Sequence, residues 1–136
     1  MQENISHQVS IEQRKRIIVQ GVESVVAFSE VKIVLTICGG EKMQLLVPGT
    51  VDASVEKHTP AVTVEENLVK VAVGSVAHPM TEEQYIEWIY LETCCGGQFK
   101  YLKPNDAPET VFNLNGQKPV AVYAYCNLHG LWKTEL

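Results

Sequence analysis

The chain has 136 residues, 46% of them hydrophobic, with 16 acidic against 11 basic side chains and a formal net charge of −5. That is enough apolar material for one domain with its own core, which excludes a disordered chain. The acidic balance excludes non-specific nucleic-acid binding, which needs clustered Lys and Arg to neutralise phosphates; the one basic cluster, Arg14-Lys15-Arg16, is short and lies near Glu12.

In chain order, Ser10-Ile11-Glu12-Gln13 has the form of a capping box, and Ile11, Ile17 and Ile18 followed by Gly21 predict a short helix over about residues 10–20, with an N-terminal arm as the competing reading. From there the signals are strands. Val31 to Ile37 is rich in β-branched residues and stops at Cys38-Gly39-Gly40, and Met43 to Val47 stops at Pro48-Gly49. Leu68 to Val73 alternates, with Val69, Val71 and Val73 on one face. Gln84 to Thr93 is a long apolar run closed by Cys94-Cys95-Gly96-Gly97, where the glycine pair signals a hairpin into Gln98 to Leu102. Lys103 to Pro108 is a polar, proline-bounded loop, and Val111 to Leu114 and Pro119 to Tyr125 flank Asn115-Gly116, a second hairpin signal. Many short strands with frequent turns predict an all-β antiparallel sandwich or barrel. The one boundary falls at Pro48-Gly49, separating an irregular head, residues 1–47, from a β-domain, residues 48–136.

No apolar run nears the roughly 20 residues that cross a bilayer, and the first 20 residues hold no signal-peptide core. The expectation is a cytoplasmic protein without membrane contact. Its four cysteines, Cys38, Cys94, Cys95 and Cys126, then read as thiols or ligands rather than disulfides.

The chemistry concentrates at the end of the last apolar run. Cys126-Asn127-Leu128-His129 sets a thiol and an imidazole three residues apart at a turn, a spacing that can bring both to one metal. His58 and His78 stand upstream in loops punctuated by Pro60 and Pro79. Imidazole with thiolate suits zinc, iron or copper, whereas hard cations want carboxylates. Taken singly, each histidine also reads as a solvated loop side chain, and Cys126 as a small core residue.

At these residues the sequence resembles a known family. Glu56-Lys57-His58-Thr59-Pro60, Gly74-Ser75 with His78-Pro79-Met80, Tyr85-Ile86-Glu87-Trp88, Leu102-Lys103-Pro104 with Asp106-Ala107-Pro108, and Tyr125-Cys126-Asn127 with His129-Gly130 and Trp132-Lys133 are similar, in order, to the superoxide reductases, which include neelaredoxin and the C-terminal domain of desulfoferrodoxin. The resemblance implies an immunoglobulin-like sandwich of about seven strands. It implies a non-haem mononuclear iron held by equatorial histidines, matched here by His58, His78 and His129, and by an axial thiolate, matched by Cys126. The implied activity is one-electron reduction of superoxide to hydrogen peroxide, an oxidoreductase of oxygen defence. Lys57 matches the lysine that draws in the anion and helps to protonate the product, and Glu56 the carboxylate that can close on ferric iron. A small rubredoxin-type electron carrier and a homo-oligomer are the implied partners.

Two departures accompany the resemblance. The family's fourth equatorial histidine falls six residues after the His-Pro-Met histidine, where this chain has Gln84, a neutral amide and a poor substitute for imidazole on iron. Iron with Gln84 or water in the gap, zinc in a closed set of three imidazoles and a thiolate, and a degenerate site are the three outcomes this leaves open. The head keeps Cys38 alone where desulfoferrodoxin's second iron centre needs four cysteines, and Cys94 and Cys95 read as exposed thiols at a hairpin tip. Tyr85, Trp88, Tyr125 and Trp132 read as packing in the core or at the site edge.

Overall fold

Ile17, Ile18 and Val19 are three β-branched residues in a row, stiff at χ1 and suited to extended backbone. They lie in strand β1 (Ile17–Gln20) of a computed structural model that describes residues 17–20, 25–28, 37–38, 41–42 and 44–136. The helix expected over residues 10–20 is thereby corrected at its C-terminal end; residues 10–16 lie outside the described residues, as do residues 31–36 of the expected Val31–Ile37 strand. β1 pairs antiparallel with β2 (Val25–Phe28) and with β5 (Gln44–Leu46), and β3 (Ile37–Cys38) pairs with β4 (Glu41–Lys42). The chain divides into two compact units, Met1–Val47 and Pro48–Leu136.

The second unit opens with one helical turn, α1 (Val55–His58), followed by seven strands. These are β6 (Pro60–Glu65), β7 (Leu68–Val73), β8 (Ile86–Thr93), β9 (Gly96–Tyr101), β10 (Glu109–Asn113), β11 (Pro119–Cys126) and β12 (Gly130–Glu135). They form two antiparallel sheets, in the orders β10-β7-β6 and β12-β11-β8-β9, the β-sandwich the sequence predicts. The alternation of β7 sends Val69, Val71 and Val73 into the core, where they meet Ile89, Val122 and Ala124 of the other sheet. Each such fully buried aliphatic side chain contributes about 1.5–3 kcal/mol relative to exposure. Among the described residues no helix is long and apolar enough to cross a membrane.

Three details differ from the sequence expectation. The run starting at Gln84 becomes strand only at Ile86: the Gln84 carbonyl accepts the Thr81 N–H at 2.9 Å, and the Gln84 N–H donates to Thr81 Oγ1 at 3.1 Å, holding Gln84 in a turn. The β8–β9 turn is made by Cys94 and Cys95, since Thr93 pairs with Gly96. Gly97 is instead a strand glycine with the Tyr90 ring lying where a Cβ would project, so its lack of side chain serves packing. Asn115 and Gly116 have the positive φ angles of a tight turn, 52° and 80°. Yet β10 and β11 pair with different sheets, so that turn carries the chain across the sandwich.

Candidate metal centre

Four short segments at one end of the sandwich carry the candidate ligands. α1 stops at His58 because Pro60 disfavours helical backbone at Thr59, which is extended (φ −74°, ψ 125°). The turn points His58 inward, 2% exposed, and leaves Glu56 and Lys57 in solvent. Its back rests on the chain leaving β7. The Glu56 carbonyl accepts the Val76 N–H at 2.9 Å and the Ser75 hydroxyl at 3.3 Å, and a Cβ on Gly74 would lie 2.6 Å from that carbonyl oxygen. Only glycine allows this approach.

His78, 3% exposed, follows two residues after Val76, with its N–H donating to the Val73 carbonyl at 3.0 Å. Cys126 ends β11 fully buried, and since it pairs with Gly130, Asn127, Leu128 and His129 form a tight loop. Gly130 closes that loop at φ 78°, a conformation that favours glycine. The loop is tied to the turn before β8 through Asn127. Its Oδ1 accepts the Tyr85 N–H at 2.9 Å, and its Nδ2–H donates to the Glu83 carbonyl at 3.1 Å. Gln84, between these two residues, places its amide 3.4 Å from His129 Nδ1.

The imidazoles converge. His58 Nε2 lies 3.1 Å from His78 Nε2 and 3.1 Å from His129 Nδ1. The metal-binding atoms of His58, Cys126 and His129 all lie within 4.8 Å of one another, the one such grouping of His, Cys, Asp or Glu among the described residues. The other ring nitrogens assign the tautomers. His58 Nδ1–H donates to the Ser54 carbonyl at 2.7 Å, and His78 Nδ1–H donates to the Pro79 carbonyl at 2.6 Å. Each ring therefore turns a bare Nε2 lone pair toward the other, an arrangement that repels unless a cation sits between them. Burial, offset by those carbonyl contacts and reinforced by neighbouring positive charge, holds the proton affinity of both rings below the ordinary imidazole value. Both rings are thus neutral near pH 7, the form in which an imidazole can bind a metal. Two nitrogens bound at right angles at about 2.1 Å lie about 3.0 Å apart, so the observed spacing fits a common ion.

Trp132 braces the cluster from β12. Its ring stacks on His58 with centroids 5.0 Å apart, and its Nε1–H donates to the His129 carbonyl at 3.0 Å. The sequence reading of Trp132 as packing at the site edge underestimates this hydrogen bond. The Ser54 and Pro79 carbonyls are invisible to sequence reasoning because any residue can supply a carbonyl, and the Asn127 clamp is likewise not foreseen, although a short amide one residue after Cys126 is the signal that could have found it. Lys57 stands close enough for its charge to depress proton binding at both His58 and His78. Glu56 accepts a hydrogen bond from the Ser54 hydroxyl at 3.2 Å. Cys94 and Cys95 sit at the far end of β8, roughly 20 Å along the strand from the cluster.

The sequence profile of the desulfoferrodoxin family matches residues 50–135. The desulfoferrodoxin of Nitratidesulfovibrio vulgaris is 50% identical over 99 residues, 73% of this chain and 78% of that protein. A superoxide reductase of Pyrococcus horikoshii is 38% identical over 99 residues, 60% of this chain and 86% of that protein. The crystal structure of the superoxide reductase from Treponema pallidum is similar with a TM-score of 0.68 at 48% identity, covering 72% of this chain and 82% of that one.

Proposed function

This chain belongs to the desulfoferrodoxin family, and on that premise we propose that it reduces superoxide to hydrogen peroxide at a mononuclear iron held by His58, His78, His129 and Cys126. Two observations support this reading: His58, His129 and the buried Cys126 bring their ligand atoms within 4.8 Å of one another, and His78, outside that grouping, turns its bare Nε2 lone pair to within 3.1 Å of His58 Nε2. Iron held there would supply the single electron that, with two protons, converts one superoxide to one hydrogen peroxide. Cys126, buried at the end of β11, would hold that iron as an electron-rich thiolate, which would favour electron transfer outward. Lys57, exposed beside the rings, attracts the small anion and holds a proton at Nζ that the product needs. Glu56, on the same helical turn, is the carboxylate available to close over the site after turnover. Electrons return from a small rubredoxin-type carrier, because the head has Cys38 as its one cysteine and cannot supply a four-cysteine centre from its own chain. A cytoplasmic homo-oligomer with residues 48–136 as the metal-binding domain completes the reading.

The test is metal content and the absorption spectrum of protein purified without oxygen, then superoxide consumption against a Cys126→Ser control. About one iron per chain, a visible thiolate-to-iron band on oxidation, and activity lost in the control are expected. Iron-replete protein no faster than Cys126→Ser overturns the proposal.

One observation favours a second reading. Gln84 brings its amide to 3.4 Å from His129 Nδ1, at the sequence position where the family resemblance implies a fourth imidazole, and three imidazoles with one thiolate already satisfy tetrahedral zinc. A module of this kind binds zinc or iron without turnover and serves electron transfer or sensing. Stoichiometric zinc in the isolated protein, together with a Gln84→His variant that gains large activity over a silent parent, selects this reading.

A further inference from the structure

The β8–β9 hairpin holds a second reactive group that the metal centre does not use. Cys94 and Cys95 are the two turn residues, both exposed and both free thiols, with their sulfurs 3.1 Å apart. The tip is pinned rather than loose. The Cys94 N–H donates to the Lys118 carbonyl at 2.9 Å, and the Cys95 N–H donates to Thr93 Oγ1 at 3.3 Å. The Thr93 hydroxyl donates in turn to Gln117 Oε1 at 2.7 Å. Anchoring both amides keeps the two side chains projecting together, which removes much of the ordering cost of capturing a ligand between them.

We propose that the adjacent thiols Cys94 and Cys95 form a chelating site for a thiophilic trivalent metalloid, of which arsenite is the simplest. Closure to a disulfide is the competing fate, and the backbone opposes it. Adjacent Cα atoms across a trans peptide lie about 3.8 Å apart, short of the roughly 4.4–6.8 Å that disulfides span. Zinc is a poor occupant. Its sulfurs spread to about 3.8 Å, it wants four ligands, and among the described residues no further His, Cys, Asp or Glu joins this pair in a ligand cluster. A pyramidal three-coordinate centre needs only two sulfurs at near-right angles and one solvent hydroxide. With bonds of about 2.3 Å that geometry sets the sulfurs about 3.3 Å apart, close to the observed spacing. The Cys95 thiol beside it, with the Lys118 backbone and charge, holds the Cys94 thiol below its ordinary value, supplying the thiolate that attacks first. The reaction balances without redox change: two As–O bonds of arsenous acid break, two As–S bonds form, and each thiol proton leaves with a hydroxide as water.

The experiment titrates the purified holoprotein with sodium arsenite, then alkylates with iodoacetamide and maps the modified cysteines. Arsenite at about one equivalent is expected to protect Cys94 and Cys95 together. Cys94→Ser and Cys95→Ser should each weaken binding at least about 100-fold, since a single thiol loses the intramolecular second bond. Both substitutions fall on an exposed tip, and unchanged circular dichroism verifies folding. Either thiol alkylating at its original rate with arsenite present, or a single-serine variant binding like the parent, overturns the proposal. A stable Cys94–Cys95 disulfide in protein handled without reductant also overturns it.

Discussion

Substituting Gly74 by alanine tests whether the backbone behind α1 sets the position of His58. The new Cβ would lie 2.6 Å from the Glu56 carbonyl oxygen, 2.9 Å from that of Thr59 and 3.1 Å from the Lys57 carbonyl carbon. An ordinary carbon–oxygen contact is about 3.3 Å, so α1 and the Gly74 loop must part by about 0.7 Å. The obstructing atoms are backbone and cannot rotate away, and overpacking of this kind costs about 1–3 kcal/mol. The displacement also exceeds the roughly 0.5 Å within which a ligand set must be held. It acts directly on the residues flanking His58, whose Nε2 stands 3.1 Å from two other ring nitrogens. Gly74→Ala is therefore expected to lose about 1–3 kcal/mol in urea denaturation and about 10–100-fold in metal affinity by chelator competition. Ser75→Ala, which removes only the 3.3 Å hydroxyl contact to the Glu56 carbonyl, should change both far less. A Gly74→Ala protein with the parent's stability and metal affinity would refute the argument that this close approach positions the site.

Trp132→Phe keeps a ring to stack on His58 but deletes the 3.0 Å hydrogen bond to the His129 carbonyl. The expected result is a loss of about 0.5–1.5 kcal/mol in stability and about 10-fold or more in metal affinity, with undiminished affinity sinking the idea. A pH titration of metal-free protein tests the buried rings. The folded-state proton affinities of His58 and His78 lie below the ordinary value of 6.5, so below that pH the unfolded chain binds more protons and stability rises with pH. Thermal melts of chelator-treated protein should therefore show stability level above pH 6.5 and falling as pH drops from 6.5 toward the depressed folded values. A melting temperature that holds or climbs over that descent contradicts the burial argument.

Asn127→Ala removes both ties to the turn carrying Gln84. About 1–3 kcal/mol of destabilisation is expected from the orphaned Tyr85 N–H and Glu83 carbonyl, and parent-like denaturation would show that the clamp is idle.

What the sequence determined by itself was whatever depends on neighbouring residues. The alternation from Leu68 to Val73 specifies a half-buried strand because side chains in extended backbone change face at every residue. Cys126-Asn127-Leu128-His129-Gly130 encodes its own loop, since a glycine at positive φ closes it. Pro60 ends the turn bearing His58 through the steric limits on Thr59. Family resemblance extended this local reading to the sandwich. Tertiary structure alone decided how distant segments meet. His58 lies 71 residues from His129 and 20 from His78, and no local rule brings their nitrogens to 3.1 Å. The hairpin turn fell on Cys94-Cys95 rather than the glycine pair because the Tyr90 ring needs the space over Gly97, a cross-strand contact invisible along the chain. Asn115-Gly116 made a local turn, yet its flanking strands joined different sheets, because strand partners are chosen by burial in the whole sandwich. The tautomers of His58 and His78 depended on the Ser54 and Pro79 carbonyls, groups every residue carries and only the folded backbone can aim.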